Sequence, residues 1–264
     1  MRRLLDSFLV GLSDTQLITG FALTLVTEFF TPCSISAYHY NIVCNLVIMS
    51  LIVHLCSMIV IEHYFKNIAL GLLRIALILT TMSLGVILFF ERSSGKFPLN
   101  PSTDSRSLVI NGTLVANTTT LVIPAICFMA NSTMPNSSEA SKANFWWGFF
   151  EYIALFIFFL VSAGLSAYHT HFFKKDVKYS ANPVIYWIRG GLLVAGLGIS
   201  GWVIYNLFHL QHWMQDSGWF GEDDGESDGK TFGQIVPLVL LALPFLALFE
   251  AYAGMFSFSM VGPK

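Results

Sequence analysis

The chain has 264 residues, a formal net charge of -2, and 55% hydrophobic against 11% charged residues. Ordinary soluble domains carry about 25% charged residues, so this composition excludes a soluble globular domain and indicates a membrane protein. The charge balance, with no basic cluster, also argues against nucleic acid as a partner.

The N-terminal MRRLLDSFLVG starts basic but has no small-residue cleavage site, so it reads as an uncleaved start forming an interfacial turn. Ser13 and Gln16 then offer a capping box, and a first span is expected near 14–30. Pro32 breaks the chain. The run Ile42–Ile61 follows, twenty residues without a formal charge. As a helix it is about 30 Å long, the thickness of a bilayer's hydrocarbon core. It lacks a polar stripe and serves as the depth reference for the other spans. A third span is expected near 68–90, with Arg74 snorkelling to the headgroups.

Residues 93–144 form one long loop with four Asn-x-Ser/Thr sequons, at Asn111, Asn117, Asn131 and Asn136. Such sites are glycosylated only in the lumen or outside the cell. Ser107 to Ala130 is rich in Thr, Asn and Val, which favours a small extended element over a span. A fourth span is expected near 145–168, opening on Trp146 and Trp147, then a basic connector containing Lys174, Lys175 and Lys178. The fifth, near 184–210, carries Gly190, Gly191, Ala195, Gly196, Gly198, Ser200 and Gly201, which suggests the packing centre of the bundle. An acidic loop around Glu222–Asp228 lacks EF-hand spacing and reads as a solvated turn. A sixth span is expected near 234–258.

These spans make a single polytopic domain, residues 1–264: an all-α bundle of six transmembrane helices with both termini cytosolic. Nine of the fourteen Lys and Arg residues then face the cytosol in short segments. The sequons and the acidic loop fall outside. The four cysteines form no metal-binding spacing. Cys44 and Cys56 read as buried thiols, and Cys33 and Cys127 as a candidate outer disulfide.

Ionisable groups inside spans are costly and often functional. The candidates for catalysis are Glu250, Glu28, Glu151 and His54. Glu250 and His54 share a layer if their helices face each other, and a desolvated carboxyl suits a proton donor. Each has a plainer reading: Glu250 pairing with His54 or Arg74, His54 as a hydrogen-bonded structural group, Glu28 and Glu151 as ordinary interface carboxylates. No P-loop, GxGxxG, HExxH or GxSxG motif is present, and no cofactor or metal is expected. His169 and His171 alone are a weak metal signal.

The stretch Leu12-Ser13-Asp14-Thr15-Gln16-Leu17-Ile18-Thr19-Gly20 resembles the SDxQLVTG opening motif of a family of filamentous-fungal integral membrane proteins. Cys33-Ser34-Ile35-Ser36-Ala37-Tyr38-His39 and Val53-His54-Leu55 follow at that family's spacing. The resemblance covers Ser13 to about Arg74 and continues beyond as topology. Two departures stand out. The family often has a longer N-terminal region, and it shows aromatic-Ser-Ser before Thr-His-Leu where this chain has Met49-Ser50-Leu51-Ile52-Val53-His54-Leu55. Most members of that family have no assigned function, and some sit among genes of secondary metabolism. The resemblance therefore implies an accessory membrane protein of a fungal pathway, in the endoplasmic reticulum or plasma membrane. Two alternatives remain open. One is a membrane enzyme on a lipophilic substrate, such as a proton-initiated terpene or meroterpenoid cyclase. The other is a small transporter or receptor. The lipid bilayer is the expected partner, with a lipophilic small molecule as candidate ligand and the oligomeric state open.

Overall fold

The computed structural model describes residues 2–30, 35–61, 64, 68–93, 97, 108–110, 113–115, 121, 124–128, 147–173 and 183–216. The expected sixth span, Glu250 and the four sequon asparagines lie outside these residues, as does Cys33. Five helices carry the fold: α1 (Arg2–Leu25), α2 (Ala37–Val60), α3 (Ile68–Arg92), α4 (Trp147–Phe173) and α5 (Pro183–Asp216). Each is long and apolar enough to cross a membrane, so the architecture is that of an all-helical integral membrane protein.

Two helices begin earlier than the sequence suggested. α1 starts at Arg2 and runs without a break into a π turn, Val26–Phe30. No proline interrupts it, and Asp14, taken for a helix start, sits in its interior with its charge met by Arg74. α2 starts at Ala37 instead of near 42 because Ser36 caps it. The Ser36 hydroxyl accepts from the His39 N–H at 3.3 Å and its carbonyl from the Tyr40 N–H at 2.9 Å, meeting two otherwise orphaned donors.

The packing centre is also not where the small residues pointed. Among the described residues it is α2, which packs against all four other helices. Of its apolar window 67% is buried, against 11% for α5. A helix that is apolar all round gains most from burial all round. α4 and α5 both lean on α2, and their contact with each other is slight by comparison. Tyr38, Leu51, Leu55 and Met58 of α2 meet Leu17, Ile78, Leu88 and Phe89 in one core.

Close approach of α1 to α2 depends on Gly20. A Cβ built there would lie 2.8 Å from Ser50 Cβ, and the Ser50 hydroxyl donates to the Gln16 carbonyl. Gly20→Ala is therefore expected to destabilise the protein by about 1–3 kcal/mol through overpacking. The double variant Gly20→Ala/Ser50→Gly should regain part of that loss. Apparent Tm in detergent is the measurement, and an unchanged Tm for the single variant would contradict this packing.

In the long loop, Leu108–Ile110 pairs antiparallel with Thr113–Val115, the extended element that the Thr and Val content suggested. Nearby, Pro124 bridges Ser36, and the Ala125 N–H donates to the Ile35 carbonyl at 2.8 Å. The loop is thereby tied to the start of α2. Cys44, Cys56 and Cys127 are free thiols.

Candidate functional site

Among the described residues, the features that carry polar or ligand chemistry include a polar layer at each end of α3 and a cleft between α4 and α5.

The first layer joins α1, α2, α3 and the connector after α2. Asp14 receives a forked pair of bonds from Arg74, Nε to Oδ1 at 2.8 Å and Nη2 to Oδ2 at 2.6 Å. This planar, two-point pairing is the geometry for which a guanidinium is suited and an ammonium is not. Arg74 therefore locks to α1 instead of snorkelling to the headgroups. Its guanidinium also lies 5.4 Å from the centre of the Tyr64 ring.

Beside this pair His54 is completely buried. Its Nδ1 lies 2.5 Å from Ser13 Oγ and 3.2 Å from the Ser13 carbonyl, and its Nε2 lies 2.9 Å from the Tyr64 hydroxyl. Ser13 Oγ is also 2.5 Å from Ser57 Oγ, and the Ser57 hydroxyl donates to the His54 carbonyl at 2.7 Å. One proton assignment satisfies every group. Tyr64 O–H donates to Nε2, Nδ1–H donates to Ser13, Ser13 O–H donates to Ser57, and Ser57 O–H donates to the His54 carbonyl. Burial pushes the Tyr64 hydroxyl above its ordinary range, so it stays a donor. His54 thus sits in a closed, neutral chain that fastens α1 and the connector to α2. Neither it nor Ser13 lines the cleft described below.

The second layer lies at the opposite end of α3. Arg92, 5% exposed, donates from Nη1 to Glu151 Oε2 at 2.9 Å and from Nε to Asn41 Oδ1 at 3.1 Å. It joins α3 to α4 and α2. The Tyr40 hydroxyl donates to Glu91 Oε2 at 3.0 Å and lies 3.2 Å from the Leu88 carbonyl. Glu28, on the π turn, is close enough to Glu91 for their charges to interact, and among the described residues its buried Oε1 has no hydrogen-bond partner.

The cleft has a volume of about 330 Å³. Ile48 of α2 forms its floor. Phe150, Glu151, Ala154, Leu155 and Phe158 of α4 form one wall, and Ile199, Trp202 and Val203 of α5 the other. Its lining is apolar except for Glu151, whose carboxylate stands at one end. A volume above about 300 Å³ with one placed polar group is the usual form of a small-molecule site.

Of the sequence candidates, Glu151 lines the cleft and is held by Arg92, His54 is enclosed in its own network, and Glu28 lies in the second layer beside Glu91. The structure does not bring these three into one site, and Glu250 lies outside the described residues. Sequence reasoning does not single out Arg92, Tyr64 or Trp202 as site residues, and it takes Ser13 only as a helix cap. The Ser13–His54 contact becomes legible only with the observed helix ends, because the expected start of α2 near 42 puts the two residues out of level. Ser13 lies as many residues before Phe30 as His54 lies after Ala37, which puts them level in an antiparallel pair. Among the described residues no group of three or more His, Cys, Asp or Glu is arranged to hold a metal. Comparison with protein-family models, curated proteins and solved structures finds no match to this chain.

Proposed function

We propose that this protein is a multi-pass membrane protein that binds an amphiphilic small molecule in the cleft between α4 and α5, without carrying out chemistry on it. The observation that carries this reading is the cleft itself: apolar walls with a single carboxylate at one end, neutralised by Arg92. Glu151 Oε2 is engaged by Arg92, which leaves Oε1 as an acceptor for a hydroxyl. The ligand class is therefore a long apolar chain or ring system ending in one alcohol. Glu151 lies in the first turns of α4, so the head would sit near the membrane surface and the tail would run toward Phe158.

In this reading the chain has six spans, Gln234–Phe258 being the last, with both termini cytosolic and the sequon loop lumenal or extracellular. The distribution of Lys and Arg supports that orientation. The likeness of Ser13 to about Arg74 to filamentous-fungal membrane proteins supports an accessory role in secondary metabolism. The endoplasmic reticulum or plasma membrane is the matching location.

A membrane enzyme is the second reading, favoured by one observation: the buried, unpartnered Oε1 of Glu28 on a π turn. That atom would serve as the acid.

The test uses a long-chain alcohol bearing a diazirine, with the full-length protein in native membranes. Irradiation should label peptides containing Phe158 and Trp202. Ala154→Trp, which fills the cleft, should reduce labelling about tenfold, equivalent to about 1.4 kcal/mol of binding. Even labelling of lipid-facing Val194 and Leu197, unaffected by Ala154→Trp, would overturn the ligand reading. Recovery of a chemically altered probe, lost in Glu28→Gln, would favour the enzyme.

A further inference from the structure

The outer helices of the bundle mark two levels along its axis, and three of them mark the same two. α3 carries an arginine near each end, Arg74 and Arg92, 18 residues apart, which is about 27 Å of helix. Each is held in an ion pair that keeps some exposure, the Asp14 side chain at 33% and the Glu151 side chain at 20%. Charges in contact with hydrocarbon are costly, so the hydrocarbon ends close to these two pairs. Between them Ile75 to Phe90 is free of formal charge, about 24 Å.

α5 gives the same figure by different chemistry. Gly196 packs on Cys56, and Val203 shares the cleft with Ile48, so α5 runs antiparallel to α2 and starts at the Arg74 end. Tyr186 and Trp187 stand there, each 75% exposed, and Tyr205 stands exposed toward the Arg92 end. Trp187 and Tyr205 are again 18 residues apart. Tyr and Trp favour the headgroup level, where ring and polar tip are both accommodated. Arg189, the one formal charge between them, lies beside Trp187, and the large exposed side chains further in include Val194 and Leu197. Trp202, one turn nearer the middle than Tyr205, lines the cleft. On α4 the exposed Phe150, next to Glu151, and the exposed Tyr168 are also 18 residues apart. The apolar run of α2 does not enter, because α2 is largely enclosed by the other helices and does not report the lipid thickness.

Tilt can only shorten these depths. At the average tilt of about 20°, 27 Å of helix covers about 25 Å of bilayer. The membrane of the endoplasmic reticulum has a hydrocarbon core of about 27 Å, and a sterol- and sphingolipid-rich plasma membrane one of about 32–33 Å. In the thicker bilayer, hydrocarbon would cover the Asp14–Arg74 or the Arg92–Glu151 pair unless the lipid thinned around the protein.

We infer that the lipid-facing surface of this protein is built for a thin bilayer, with a hydrocarbon core of about 25–27 Å, and that of the two locations left open above its membrane is the endoplasmic reticulum. This rests on the chain's spanning a membrane and makes no use of a ligand in the cleft.

The test reconstitutes the full-length protein into vesicles of phosphatidylcholines whose monounsaturated chains increase in length, and follows apparent Tm. The maximum should fall where the core is about 25–27 Å thick, with a drop of roughly 4–8 °C by about 33 Å. A maximum at about 30 Å or above, or a Tm indifferent to chain length, would overturn the inference. In cells, the tagged full-length chain at native expression should fractionate with endoplasmic-reticulum markers, and steady-state recovery in the plasma membrane would overturn the assignment. Neither measurement involves the cleft, so the ligand reading stands or falls separately by its photolabelling.

Discussion

Glu151→Ala is expected to lower stability by about 3–5 kcal/mol, the typical cost of removing one partner from a buried ion pair. Arg92 would be left almost fully buried with, among the described residues, only the Asn41 side chain to accept from it. Glu151→Gln keeps the shape and one acceptor, so its loss should be smaller. Arg92→Leu/Glu151→Leu should be less damaging than the sum of the two single changes, because the cost lies in the stranded charge more than in the missing attraction. Urea or thermal unfolding in detergent, run as a double-mutant cycle, measures this. Full additivity would mean that the 2.9 Å contact contributes nothing in solution. The same series bears on function. A catalytic acid at this position predicts a folded but inactive Glu151→Gln, whereas a structural and ligand-facing carboxylate predicts a destabilised one.

His54→Ala is expected to be comparably severe, at about 3–5 kcal/mol. It opens a cavity in the core of the bundle and removes the ring that now pairs with the Tyr64 hydroxyl and with Ser13. The network also predicts coupling. Once His54 is gone, Tyr64→Phe should cost less than it does in the unaltered chain, because the hydroxyl's bond to the ring is already lost. A His54→Ala protein that melts with the unaltered chain would show that packing, the Asp14–Arg74 pair and the Ser50–Gln16 bond suffice to hold α1.

Much of the bundle was legible before any coordinates. The uncharged run Ile42–Ile61 announced a span because a bilayer imposes one length on apolar helices. Ser13–Gln16 illustrates what was not legible. The pattern is a fair helix start taken locally, but a long-range partner, Arg74, removes the reason for the helix to begin there. The glycines of α5 misled for a related cause. Small residues report that something approaches closely, and they do not say whether it comes from elements already counted. Among the described residues only Gly196 of that helix is in tight contact. Glu151 could be named from sequence as an ionisable group in a span. Its role could not, because the cleft depends on how α4 and α5 separate over α2, and nothing local encodes that separation. The Arg92 pairing depends likewise on which helix neighbours which.

The two ends of α3 also differ in timing. The ribosome makes Asp14 sixty residues before Arg74, so when Arg74 emerges its counter-charge already exists. Arg92 is made 59 residues before Glu151 and reaches the insertion machinery while its partner is still unsynthesised. A nascent chain halted after α3 would hold one guanidinium settled and the other waiting at the bilayer edge. Insertion of α4 is then the step that completes this ion pair.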